Sequence, residues 1–239
     1  MRNILKILKV TGICLLSSTF LFFSFRPDRD AGSGIELVKP GFYAVYRDNE
    51  LTVYENGSLL WQKSFASQIN DIDCSRTRIH ILMSGSIITL SSGGRNIRQR
   101  ELSQHYSHLA VTSSHIYLFN EHTGILAIKT ADMTRDQMSI KINDLTSLIS
   151  GPEGNAFCSA GSIIVRLTPV GIDTILLTEG NIASFCIVRD GIVYTDTNGM
   201  VYADGFELMR SITIPLAEFT VDSDSIVFFH KGLKKIRLR

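Results

Sequence analysis

From residue 36 onward, short runs of alternating apolar and polar residues are broken by Gly, Asn, Asp or Ser. Successive side chains on a strand point to opposite faces, so these runs predict half-buried β-strands joined by tight turns. No stretch shows the three-to-four spacing of an amphipathic helix. Six segments share one layout, an apolar strand, a turn and a second strand rich in Ile, Leu and Val. They read FYAVYRDNELTVY from residue 42, RIHILMSGSIITL from 78, HIYLFNEHTGILAI from 115, NAFCSAGSIIVRL from 155, GIVYTDTNGMVYA from 191 and SIVFFHKGLKKIRL from 225. Their turns fall at Asn49, Gly85, Gly124, Gly161, Gly199 and Gly232, at intervals of 36, 39, 37, 38 and 33 residues. That spacing is a repeat.

Each hairpin has two companions. A more polar, alternating segment follows it: LLWQKSF, NIRQREL, QMSIKIN, DTILLTE and ELMRSIT, suited to an outer strand with one wet face. A run of small and β-branched residues precedes the later hairpins: INDIDCS, HLAVTS, LTSLIS, IASFCIV and AEFTVD, suited to an innermost strand. Four strands per ~37 residues is the blade of a propeller, whose core forms where neighbouring sheets pack face to face. The expected fold class is all-β, a β-propeller of about six four-stranded antiparallel blades over residues 35–239. A sandwich would not impose the four-strand period, and two terminal units merged into one would leave five blades. Ile35-Glu36-Leu37-Val38 would serve either as the inner strand of the first blade or as the outer strand of the last.

The chain begins differently. Arg2, Lys6 and Lys9 precede 16 uncharged residues, 10–25, that include Val10, Ile13, Leu15, Leu16, Phe20, Leu21, Phe22, Phe23 and Phe25. Adding Ile4, Leu5, Ile7 and Leu8, with the lysines snorkelling, gives the ~20 residues a bilayer core needs. No small-x-small site follows the run, which argues against a cleaved leader. Ile13 stands before Cys14 where a lipoprotein signal wants a small residue. Residues 1–26 are therefore read as an uncleaved transmembrane signal anchor. Its N-terminus is expected in the cytoplasm and the bulk of the chain outside, periplasmic or extracellular. Residues 27–34, PDRDAGSG, form a flexible tether.

Composition adds limits. A net charge of +1 gives no electrostatic footprint for nucleic acid. The locally basic end, Lys231, Lys234, Lys235, Arg237 and Arg239, alternates with Leu233, Ile236 and Leu238 and reads as an edge strand protected by charge. Outside the apolar run stand Cys74, Cys158 and Cys186, with neither zinc-site spacing nor a C-x-x-C pair. Buried free thiols are expected; a Cys158–Cys186 disulfide requires adjacent sheets to bring the two together.

Residues 51–65, LTVYENGSLLWQKSF, resemble the repeat of quinoprotein-like (PQQ-type) propellers, a strand, a Gly turn and a strand with Leu-Trp. Glu121-His122-Thr123-Gly124 carries the Thr-Gly of that repeat in another hairpin. The resemblance implies a propeller and, by analogy with envelope members, a scaffolding role. It implies no quinone, because no residue matches a cofactor-ligand motif. WD-repeat propellers fit less well, since no Trp-Asp pair occurs.

Candidate chemistry is sparse. His105, His108, His115 and His122 cluster in sequence, but zinc requires three or four convergent ligands and no carboxylate is placed beside them. Asp71 and Asp73, with Asp222 and Asp224, lie near the ends of predicted inner strands. There they would either line a central funnel, for acid–base work or a cation, or hydrogen-bond turns between blades. The glycine-rich segments at 84–86 and 91–94 precede no helix and are turns. Asn56-Gly57-Ser58 matches a glycosylation sequon, but Asn-Gly is also a preferred hairpin turn. The expected function is a non-enzymatic protein-interaction scaffold in the cell envelope. It would be held in the membrane by its N-terminal helix, partnered by an envelope protein, and free of cofactor and metal. The alternative is a hydrolase or lyase on a glycan or peptide that uses the funnel carboxylates.

Overall fold

The structure, a computed structural model, describes residues 33–75, 77–151, 154–168, 170–189, 191–215 and 218–238. The expected anchor, residues 1–26, and most of the tether lie outside them. Among the described residues no helix is long and apolar enough to cross a membrane.

Six antiparallel sheets account for the strands. Blade one holds β1 (Ser33–Lys39), β2 (Phe42–Arg47), β3 (Glu50–Glu55) and β4 (Ser58–Ser64). Blade two holds β5 (Ile69–Ser75), β6 (Arg78–Met83), β7 (Ser86–Ser91) and β8 (Asn96–Glu101). In blade three are β9 (His108–Val111), β10 (His115–Asn120), β11 (Ile125–Thr130) and β12 (Asp136–Lys141). Blade four runs through β13 (Leu145–Ser150), β14 (Ala156–Ala160), β15 (Ile163–Thr168) and β16 (Gly171–Leu177). Among the described residues blades five and six have three strands each: β17 (Ile182–Val188), β18 (Gly191–Asp196) and β19 (Val201–Asp204), then β20 (Phe219–Asp222), β21 (Ser225–Phe229) and β22 (Leu233–Arg237).

The sheets close a ring. Each inner strand packs against the next in the order β1, β5, β9, β13, β17, β20 and back to β1. Six separate hydrophobic clusters fill the six junctions between blades. That is the physical reason for the repeat. A single blade is apolar on both faces and must bury each against a neighbour. Ile35 pairs with Val45, so residues 35–38 are the inner strand of blade one. There are six blades, not five.

The turns follow local chemistry. Asn56 and Gly57 take φ of 49° and 83°, both positive as a type I′ hairpin requires. In blades one to four the outer strand carries a β-bulge, which leaves Leu60, Ile97, Gln137 or Ile175 without a partner across the ladder. A bulge bends an exposed edge and makes it a poorer template for unwanted pairing.

One expected outer strand is largely missing. In the segment ELMRSIT, a short irregular pairing joins Val201 N–H to Ile212 O and Ile214 N–H to Gly199 O. Phe206 and Leu208 pack instead over the junction of blades five and six, and Met209 N–H bonds Leu238 O. Gly199, at φ 78°, must be glycine, because a Cβ there would lie 2.1 Å from Ile214 O.

Candidate functional site: the central channel

The free edges of the six inner strands face a central channel. An unpaired N–H there has no ladder partner and little water, so it needs an acceptor. Strand β5 supplies two. Asp71 Oδ2 accepts the N–H of Leu109 at 2.8 Å, and Asp73 Oδ2 accepts that of Val111 at 3.2 Å, both from β9. Asp73 Oδ1 takes the N–H of Ser150 in β13 at 3.2 Å. One side chain of blade two thus ties blades three and four together. Asn70 Nδ2 adds a bond to Tyr106 O at 2.9 Å.

Two further carboxyls converge on the channel. Glu36 of β1 opens into it, and Glu218, just before β20, lines its narrow half with Asp71 and His108. His108 Nδ1 stands 3.7 Å from Asp71 Oδ2. Burial, reinforced by Asp73, Glu218 and Asp71, pushes Glu36 well above the usual carboxylate range. By accessible surface Glu36 is only half-buried, because its carboxyl meets the channel; the protein packed around the channel still strips it of most water. Burial likewise raises Asp73 to about 7, against the hydrogen bonds from Ser150 and Val111.

The channel widens along its axis. At the N-terminal ends of the inner strands it narrows to about 50 Å³. At their C-terminal ends it opens into a cavity of about 480 Å³, lined by Glu36, Cys74, Ser75, Thr112, Ser150 and Cys186 among others. Cys74, Cys158 and Cys186 are all free thiols. Cys158 is buried as expected, whereas Cys74 and Cys186 are half-buried at this mouth. Burial raises all three, Cys158 and Cys186 to about 12, so none is a ready thiolate.

The other sequence candidates lie elsewhere. Asp222 ends β20 at the seam between blades six and one, where its Oδ2 accepts from Tyr43 OH and, at 3.0 Å, from Gly41 N–H. Burial works to raise it, but those donors and Lys235 hold it below the usual carboxylate value. Asp224 sits in the following turn, paired with Arg237 at 2.8 Å and bonded to Ser225. Of the four aspartates, only Asp71 and Asp73 reach the channel. His105 and His122 do meet, with ring centroids 5.8 Å apart, while His115 bonds Ser114. Among the described residues no three His, Cys, Asp or Glu side chains are arranged to hold a metal ion.

Sequence reasoning missed Glu36, Glu218 and a polar row across blade two. In that row His80 Nε2 lies 3.1 Å from Ser75 Oγ, and its Nδ1 lies 3.1 Å from Thr89 Oγ1. Burial lowers His80 to about 4, so the ring is neutral at physiological pH. The signal for Glu36 was present, since the alternation of Ile35-Glu36-Leu37 aims one side chain away from the junction core.

No family model matches the sequence, and no curated protein matches it. Solved structures do resemble its fold. The β-propeller domain of Cps50 (Swd1) from Myceliophteria thermophila is 12% identical, with a TM-score of 0.62 over 87% of this chain and 97% of that one. The WD40 domain of Pan2 from Neurospora crassa is 11% identical, with a TM-score of 0.54 over 84% and 74%. A chain of the mitotic checkpoint complex is 11% identical, with a TM-score of 0.58 over 86% and 74%. At such identities the likeness establishes a propeller fold and nothing finer. The quinoprotein type suggested by residues 51–65 is not confirmed. Trp61 acts locally: its Nε1 donates to Ser92 O at 2.8 Å, so the outer strand of blade one clasps a turn of blade two.

Proposed function

We propose that this protein is a membrane-tethered, extracytoplasmic propeller that binds other proteins of the cell envelope and catalyses no reaction. The observation that carries the reading is where apolar surface is left uncovered. Of the ten large apolar side chains exposed among the described residues, six, Leu59, Leu60, Ile97, Ile172, Ile175 and Leu177, lie on outer strands, and Ile125, Val170, Tyr202 and Met209 lie elsewhere. Apolar side chains grouped along one exposed strand, as on β4 and β16, suit association in a way that single scattered ones do not. Asp71 and Asp73, in contrast, are committed to the backbone of neighbouring blades. The apolar run at residues 10–25 supports the tether, which would concentrate the ring near membrane-bound partners.

The test is purification of the full chain at native expression, in detergent, after mild crosslinking. A discrete heteromeric species is expected, weakened by Leu59→Glu together with Leu60→Glu. Recovery of monomer alone would overturn the reading.

A second reading, a hydrolase, has one observation in its favour: Ser75 lines the 480 Å³ cavity and contacts His80, which Thr89 orients. The chemistry is poor, because a ring with a value near 4 is a weak base and a threonine cannot stabilise an imidazolium as a carboxylate does. A fluorophosphonate probe should leave Ser75 unlabelled; labelling lost in His80→Gln would revive the enzyme.

A further inference from the structure

The cavity at the C-terminal ends of the inner strands suits a ligand that donates hydrogen bonds. Alternation along β1 sends Ile35 and Leu37 into the junction with blade six and Glu36 to the opposite face. Because β1 is an inner strand, that face meets the channel. Glu36 lines both the constriction and the cavity of about 480 Å³, so it stands where the one opens into the other. The volume lies within the range of ordinary small-molecule sites.

Around Glu36 the cavity is lined with oxygen. Ser75, Thr112, Ser113, Ser150 and Thr220 bring five hydroxyls to it. Two of them have already given their protons away. Thr112 donates to His115 O at 3.1 Å, and Ser150 donates to Asp73. What remains of these two for a ligand is lone pairs.

The field at Glu36 has one sign. Asp71 and Asp73 of β5 and Glu218 before β20 all oppose a negative charge there. Glu36 in turn opposes ionisation of Cys74 and Cys186 at the mouth. The basic group on the described lining, His108 of β9, lies against Asp71 at the constricted end. Burial and these neighbours favour the neutral carboxyl, and a cation placed beside it favours the charged one. A metal ion is a poor fit, since among the described residues no three His, Cys, Asp or Glu side chains are arranged to hold one. An ammonium asks less: its three N–H donors need only acceptors, and a carboxylate ringed by hydroxyls supplies them.

We propose that the cavity binds a small primary ammonium compound, with its nitrogen on Glu36 and the rest of the molecule among the hydroxyls of Thr112, Ser150 and Thr220. Binding exchanges a proton for a cation. Glu36 releases its proton to solvent as the ammonium arrives, so the net charge of the cavity does not change. The site is separate from the outer strands and stands whether or not they bind protein.

The test is calorimetric titration of the full chain in detergent with 5-aminopentan-1-ol, pentane-1,5-diol and 5-hydroxypentanoate. The amine should bind about tenfold tighter than the diol, and the carboxylate should bind weakest. Buffers of unequal ionisation enthalpy should reveal proton release with the amine, and its affinity should rise with pH as Glu36 ionises. Hydrogen exchange should slow at residues 111–113 and 150–151 and stay unchanged in β4 and β16. Glu36→Gln should abolish the preference for amine over diol and reduce the proton release. The change is nearly isosteric, and a thermal melt verifies the fold. Equal binding of amine and diol, no saturable binding of the amine, an undiminished preference in Glu36→Gln, or protection confined to outer strands would each overturn the proposal. The comparison of probes on the wild-type chain decides the matter even if the variant fails to fold.

Discussion

Among the described residues, the junction between blades one and two buries thirteen hydrophobic side chains, and the one that closes the ring, between blades six and one, buries four. The first is an oily interior of ordinary kind, with Leu51, Val53, Ile79 and Ile81 fully removed from water. The second holds Ile35, Tyr43, Val45 and Val227, and leans on polar chemistry. Tyr43 and Gly41 of blade one both donate to Asp222 of blade six. Burial and that bond hold the Tyr43 hydroxyl above its usual range, so it stays a donor. The two junctions show that one repeat can be closed by different physics. Where apolar area is short, a buried carboxylate with several donors takes its place, and the junction becomes sensitive to single polar changes.

Substitutions should expose that difference. Ile81→Ala, in the thick junction, should cost about 2–5 kcal/mol in urea unfolding and speed hydrogen exchange across the ring. Asp222→Ala should cost about 1–3 kcal/mol by orphaning two donors. Its exchange should rise first in β1 and β20; a uniform rise would mean the seam is no weaker than the rest.

Titration sharpens the contrast with the channel. Asp73 holds its proton more tightly folded than unfolded, so its contribution to stability is full at low pH and is lost as pH rises from 3.8 toward about 7. His80 works the other way. Its neutral ring is buried, so stability rises with pH between about 4 and 6.5. Relative to wild type, His80→Gln should therefore lose stability between pH 4.5 and 6.5, and Asp73→Asn should gain it, each by about 1–2 kcal/mol. Unfolding midpoints at those two values would show it, and changes of like sign would refute the assignment. The smallest effect is expected at the rim, where Trp61→Phe should cost about 1 kcal/mol by deleting the bond to Ser92, measured as a lowered unfolding midpoint.

Much of this ring is legible in the chain. The turns at Gly85, Gly124, Gly161, Gly199 and Gly232, and inner runs such as INDIDCS and IASFCIV, coincide with hairpins and inner strands, because alternation and turn chemistry are local. What is not local was hidden. ELMRSIT alternates like an outer strand, but Phe206 and Leu208 gain more burial across the junction of blades five and six than along an edge. Asp71 stands third in β5 and Asp222 ends β20, and one serves a channel and the other a seam, a distinction set by which backbone groups lie opposite. Glu36 meets Glu218 only once the ring is closed.

The direction of the channel has a consequence. β1 enters at Ser33 beside the constricted end, while the cavity of about 480 Å³ lies where the inner strands finish. On the proposed tethered reading, a link attached ahead of Ser33 would meet the ring at its constricted end and turn the hydroxyl-lined bowl away from the membrane.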